Sequence, residues 1–123
     1  MLPINTNRAP AAVGPYSQAV MKNNMVYVSG TLGMDTATGQ LPESFTEQAR
    51  NVLNHVKAVL EGASMNMSHV VKVSIFLADM NDFAELNEIY KTYFIEPYPA
   101  RETVQVARLP KDARVEISVI ASR

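Results

Sequence analysis

Cysteine and tryptophan are both missing from this chain of 123 residues. Without cysteine there are no disulfides, no iron–sulfur clusters, no cysteine–zinc sites and no thiol catalysis. Excess charge of either sign is missing too. Eleven basic and 12 acidic residues leave a formal net charge of −1, which argues against broad binding to nucleic acid or an acidic membrane. No apolar run approaches the ~18 residues of a membrane span. The opening stretch MLPINTNRAPAAVGPYS lacks a charged segment followed by an apolar one, so no signal peptide is expected. Charged residues are 19% of the chain, below the ~25% of average domains, a balance suited to an oligomer. The expectation is one globular, cytoplasmic domain spanning residues 1–123.

What is present falls into an ordered pattern. The first dozen residues, with Pro3 and Pro10, read as an irregular arm. Tyr16 to Val20 and Met25 to Ser29 then flank Lys22-Asn23-Asn24, a hairpin whose asparagines tolerate left-handed turn geometry. Ser44 and Glu47 have capping-box spacing, and Phe45, Ala49, Val52, Leu53, Val56, Val59, Leu60 and Ala63 form one helical stripe ending near Gly62 as a cap. Val71, Val73, Ile75 and Leu77 alternate with Lys72, Ser74 and Phe76, a strand with one apolar face.

A second helix starts at Asp79 or Asn81, carries Phe83, Leu86, Tyr90, Tyr93 and Phe94, and stops before Pro97 and Pro99. Two strands finish the chain, about 102–108 and 114–121, around a turn at Pro110-Lys111-Asp112. The order ββ-α-β-α-ββ predicts an α+β fold, a twisted sheet with both helices on one face. Met25, Tyr27, Ser74, Phe76, Glu116, Ser118 and Ile120 then share the other face, a mixture suited to a subunit interface.

Few residues suggest chemistry. His55 and His69 lack metal-ligand spacing and read as structural or solvated, so no metal site is expected. The stretch GTLGMDTATG matches neither the dinucleotide fingerprint nor the P-loop. Arg101 opens a strand after a proline-rich approach, and its guanidinium can offer two parallel donors to a carboxylate. Glu116 points away from its neighbours Val115 and Ile117, onto the half-covered face, where burial would raise its pKa and suit it to acid–base work. The plainer alternative is that Arg101 and Glu116 pair with each other or with surface partners.

Several blocks in register carry a family likeness. They are Ala11-Ala12-Val13-Gly14-Pro15-Tyr16-Ser17-Gln18-Ala19, Val28-Ser29-Gly30, Asp79-Met80-Asn81-Asp82-Phe83, Pro99-Ala100-Arg101, Ala107-Arg108-Leu109-Pro110-Lys111 and Val115-Glu116-Ile117. Across essentially its whole length the chain resembles the RidA/YjgF family of reactive-intermediate deaminases, also described as the L-PSP endoribonuclease family. The resemblance implies a homotrimer of a chorismate-mutase-like fold with clefts between subunits. It implies that Arg101 holds a substrate carboxylate, that Glu116 activates water, and that Tyr16, Ser29 and Gly30 line the pocket. The implied substrates are enamines and imines such as 2-aminoacrylate, 2-iminopropanoate and 2-iminobutanoate, hydrolysed to 2-keto acids and ammonia without metal or cofactor.

Two positions depart from the family pattern. Thr103 stands where many members have cysteine, and Thr31 where many have glutamine. Neither touches Arg101 or Glu116, though Thr103, taken as substrate-binding, bears on pocket size. The alternatives are a trimer that binds 2-keto acids without turnover and a ribonuclease. For the latter the chain lacks a basic track, paired histidines and stacking aromatics.

Overall fold

Period-two alternation puts Val26, Val28, Val73, Ile75, Leu77, Val115, Ile117 and Val119 on one face of three strands, and all eight are buried. The computed structural model describes residues 1–123 and builds a six-stranded sheet around those strands. In chain order the elements are β1 (Leu2–Ile4), β2 (Ala19–Lys22), β3 (Met25–Leu32), α1 (Phe45–Gly62), β4 (Val70–Leu77), α2 (Phe83–Tyr90), β5 (Ala100–Gln105) and β6 (Val115–Ser122). Across the sheet they run β1-β2-β3-β6-β4-β5, and only β4 and β5 pair in parallel. The last strand in sequence is therefore inserted at the centre, between β3 and β4.

Both helices pack on the apolar face, as expected, and 26 buried residues form one continuous core. Ser44 caps α1 by accepting a hydrogen bond from the Glu47 N–H at 3.1 Å; the reciprocal half of the box does not form. Every residue of the expected α1 stripe is buried. Full burial of side chains such as Val52, Leu53, Val56 and Leu60 contributes ~1.5–3 kcal/mol each. The opposite face carries Met25, Tyr27, Ser74, Phe76, Glu116, Ser118 and Ile120, none of them buried. On it Tyr27 sits opposite Ile120, Ser74 opposite Ser118 and Phe76 opposite Glu116.

Several details differ from the sequence expectation or sharpen it: β2 begins at Ala19 rather than Tyr16, and β5 runs Ala100–Gln105 rather than 102–108. Part of the N-terminal arm is a strand, because Leu2–Ile4 pairs with β2 and Ile4 is buried. The left-handed residue after α1 is Ser64 (φ 58°), not Gly62. Gly62 instead lets β1 approach, since a Cβ there would lie 3.2 Å from the Ile4 methyl. Val71 is exposed and Val70 buried, because an irregularity between Val70 and Lys72 resets the alternation of β4. His69 lies in a 3-10 turn before β4, where its ring accepts a hydrogen bond from the Asn66 N–H. Finally, α2 ends at Tyr90, and Phe94 folds back from the following turn to stack on Tyr90 at 4.5 Å.

Candidate active site

The site begins with a bulge. Val28 of β3 faces Val119 of β6, but Thr31 faces Ile117, so β3 holds one extra residue at Ser29-Gly30. The bulge brings the Gly30 backbone beneath the Glu116 carboxylate, and a Cβ on Gly30 would lie 2.7 Å from Oε2. No side chain larger than hydrogen fits there while Glu116 keeps its place. The Ser29 hydroxyl donates to the Ser17 carbonyl at 2.6 Å, tying the bulge to the segment that carries Tyr16.

Glu116 makes no hydrogen bond and no ion pair within the chain, and partial burial pushes its carboxyl above the ordinary carboxylate range. A half-desolvated carboxylate without a partner is a stronger base than one in water, because nothing on the protein stabilises its charged form.

A cleft of about 720 Å³ opens over this carboxylate. Tyr16, Ser29, Gly30, Thr31, Lys111 and Glu116 line it together with Ala9, Pro10, Ala11 and Val13 of the arm. Gln18 holds the arm in place. It is buried, donates to the Thr6 and Pro10 carbonyls at 3.0 and 2.8 Å, and accepts from the Thr6 N–H at 2.8 Å. Lys111 reaches the cleft from a loop where it and Asp112 both have positive φ, 58° and 54°. The Arg108 guanidinium closes that loop on Asp112 through two hydrogen bonds of 2.6 and 3.0 Å. Sequence reading saw a turn at Pro110-Lys111-Asp112 and missed its place in the cleft wall. The nearness of that turn to Glu116 was the available signal.

Four of the expected site residues, Tyr16, Ser29, Gly30 and Glu116, thus share one cleft. Arg101 and Thr103 do not join them. Arg101 is in register with Val73 and Thr103 with Ile75, on the helix side of edge strand β5, whereas Glu116 lies on the open side of β6 with β4 between. Arg101 and Glu116 therefore do not pair with each other. The Arg101 guanidinium makes no ion pair either; it lies over the rings of Tyr90 at 4.7 Å and Phe83 at 5.7 Å. The Thr103 hydroxyl is buried and has no hydrogen-bond partner within the chain. His55 is structural: it is buried, with Nε2 2.6 Å from the Met34 carbonyl.

Comparison with known proteins decides the family. The family model described as Endoribonuclease L-PSP matches residues 6–123. The 2-iminobutanoate/2-iminopropanoate deaminase of Capra hircus is 50% identical over 119 residues, covering 96% of this chain and 87% of that protein. The chain belongs to the RidA/YjgF family. Among solved structures, RidA from the Antarctic bacterium Psychrobacter sp. superposes with a TM-score of 0.97 at 49% identity, covering all of both chains. Escherichia coli TdcF with bound serine gives 0.95 at 44% identity, covering all of this chain and 99% of that one. This RidA/YjgF chain thus shares its fold with both solved structures over essentially their whole length.

Proposed function

We propose that this chain hydrolyses reactive 2-imino acids and their enamine tautomers, such as 2-iminopropanoate and 2-iminobutanoate, to 2-keto acids and ammonia. The unpaired, half-buried Glu116 carboxylate at the floor of the cleft carries this reading. A protonated imine is already electrophilic at C2, so the protein has only to place a water and move protons. Glu116 takes one proton as the water oxygen bonds to C2. It returns that proton to nitrogen and takes the second one from the new hydroxyl as the C–N bond breaks, so ammonia leaves, the carbonyl remains and the last proton passes to solvent. The names of the relatives, deaminases acting on these imines, support the same substrate class.

The substrate's fixed charge is its carboxylate, and Arg101 is assigned to hold it. Arg101 and Glu116 of one chain lie on opposite sides of the sheet, so the assignment requires a second copy. The open face supports this, since Met25, Tyr27, Phe76 and Ile120 leave apolar surface beside Glu116 uncovered by any helix. In the proposed homotrimer each open face meets the β5 edge of a neighbour, which brings Arg101 and Thr103 to the cleft holding Glu116, Ser29, Gly30 and Tyr16. Thr103 then offers its unpartnered hydroxyl at the same junction. Lys111 is the one basic side chain lining the cleft, which disfavours a ribonuclease track.

The test couples a dehydratase that releases 2-iminobutanoate to the purified protein and follows 2-oxobutanoate formation. Acceleration above the spontaneous rate is expected. Binding of 2-oxobutanoate with no acceleration would instead make the chain a binding module.

A further inference from the structure

An arginine that captures a ligand carboxylate has to meet two opposed demands. It must be held in place, yet no protein carboxylate may occupy its donors. Arg8, Arg108 and Arg114 are each held by an acidic side chain, Glu61, Asp112 and Asp82 respectively. Arg101 has no such partner and is covered by two aromatic rings from α2.

We propose that Tyr90, assisted by Phe83, is a positioning residue for Arg101, fixing the guanidinium through its flat face while leaving its N–H edge free for a carboxylate. The inference rests on the reading of Arg101 as the carboxylate clamp. Its chemistry follows from the shape of the group: attraction to an aromatic ring uses the face of the guanidinium, whereas hydrogen bonds to a carboxylate lie in its plane. The two interactions therefore do not compete. An acidic partner would compete, and would also neutralise the charge that attracts the ligand.

The platform is itself braced. Phe83 and Tyr90 are seven residues apart, two turns of one helix, so their rings share a face. Tyr90 is 6% exposed and stacks on Phe94 at 4.5 Å and 28°. Phe83 is more open, at 37% exposure, and closes the outer side. The Tyr90 hydroxyl is buried without a hydrogen-bond partner, so the structure gives it no role that phenylalanine would lose.

The experiment measures 2-oxobutanoate binding, steady-state kinetics and the Arg101 Nε–H heteronuclear NOE for four variants. Tyr90→Phe should bind within about twofold of the unmodified protein. Tyr90→Leu should weaken binding and raise KM by about 3- to 30-fold with little change in kcat, and Arg101 Nε–H should become mobile. Phe83→Leu should shift the same quantities by a smaller factor. In an Arg101→Ala background, Tyr90→Leu should add nothing. A folded Tyr90→Leu protein with unchanged binding and a rigid Nε–H overturns the platform alone. If Tyr90→Leu does not fold, Phe83→Leu decides: unchanged binding and a rigid Nε–H overturn the proposal. A Tyr90→Phe protein as impaired as Tyr90→Leu overturns it too, because the hydroxyl rather than the ring would then matter. Failure of the underlying reading has a separate signature: Arg101→Ala itself would bind 2-oxobutanoate normally.

Discussion

Burial of the Glu116 carboxylate carries a stability cost, and that cost can be measured separately from catalysis. Burial raises its pKa, so the folded chain holds this proton more tightly than the unfolded chain does. The stabilisation linked to that proton is present at acid pH and lost as pH rises through the raised value. Glu116→Gln should therefore raise Tm at pH 7, and the gain should vanish at acid pH; differential scanning calorimetry across pH checks both. The same substitution should lower turnover by roughly 10²–10⁴-fold, as for a lost general base, while 2-oxobutanoate still binds. Turnover of the unmodified protein should fall on acidification at a pH above the ordinary carboxylate range. Gly30→Ala should displace the Glu116 carboxylate and cut turnover about tenfold or more with the fold retained, because a misplaced base loses its geometry first. At this scale the sequence was informative about identity and silent about company. Tyr16, Ser29, Gly30 and Glu116 were legible as candidates, but the bulge that joins Gly30 to Glu116 depends on a register between strands 86 residues apart in numbering, which no local pattern encodes.

Among the elements, those with long periodic patterns were legible and those fixed by tertiary contact were not. The α1 stripe and the alternation of β6 repeat often enough to specify both element and face. The three residues of β1 carry no such repeat; they become a strand only because β2 offers an edge. Val71 was assigned to the core by alternation that a single irregularity shifts by one residue. Gln18 shows how the arm becomes part of the site. Its side chain hydrogen-bonds four backbone groups of residues 6–10, so Gln18→Ala leaves buried polar groups unpaired. The expected cost is about 1–3 kcal/mol in chemical denaturation, with faster amide exchange over residues 6–10. Because Ala9 and Pro10 line the cleft, KM should rise as well. Intact amide protection there would show that the arm is held by something else.

For the whole molecule, the decisive feature is that one chain holds the two residues of the proposed site apart. No arginine lines the cleft that holds Glu116, and Arg101 sits on the helix side of the edge strand, paired with no acidic side chain. The family resemblance pointed to both residues and to clefts between subunits, and the sheet order and the faces of β5 and β6 add that a single copy holds the two residues apart. Arg101→Ala should nearly abolish turnover without unfolding the chain, and Arg101→Lys should restore little, since a point charge lacks the planar fork. The most direct measurement of the composite site mixes two inactive variants. Arg101→Ala and Glu116→Gln chains are unfolded together in equal amounts, refolded, and assayed for 2-oxobutanoate formation. If each cleft takes Arg101 from one copy and Glu116 from the next, random assembly makes about one quarter of the clefts native, and activity should return to about a quarter of the unmodified level. A mixture that forms mixed oligomers yet remains as inactive as its two components would contradict the shared site.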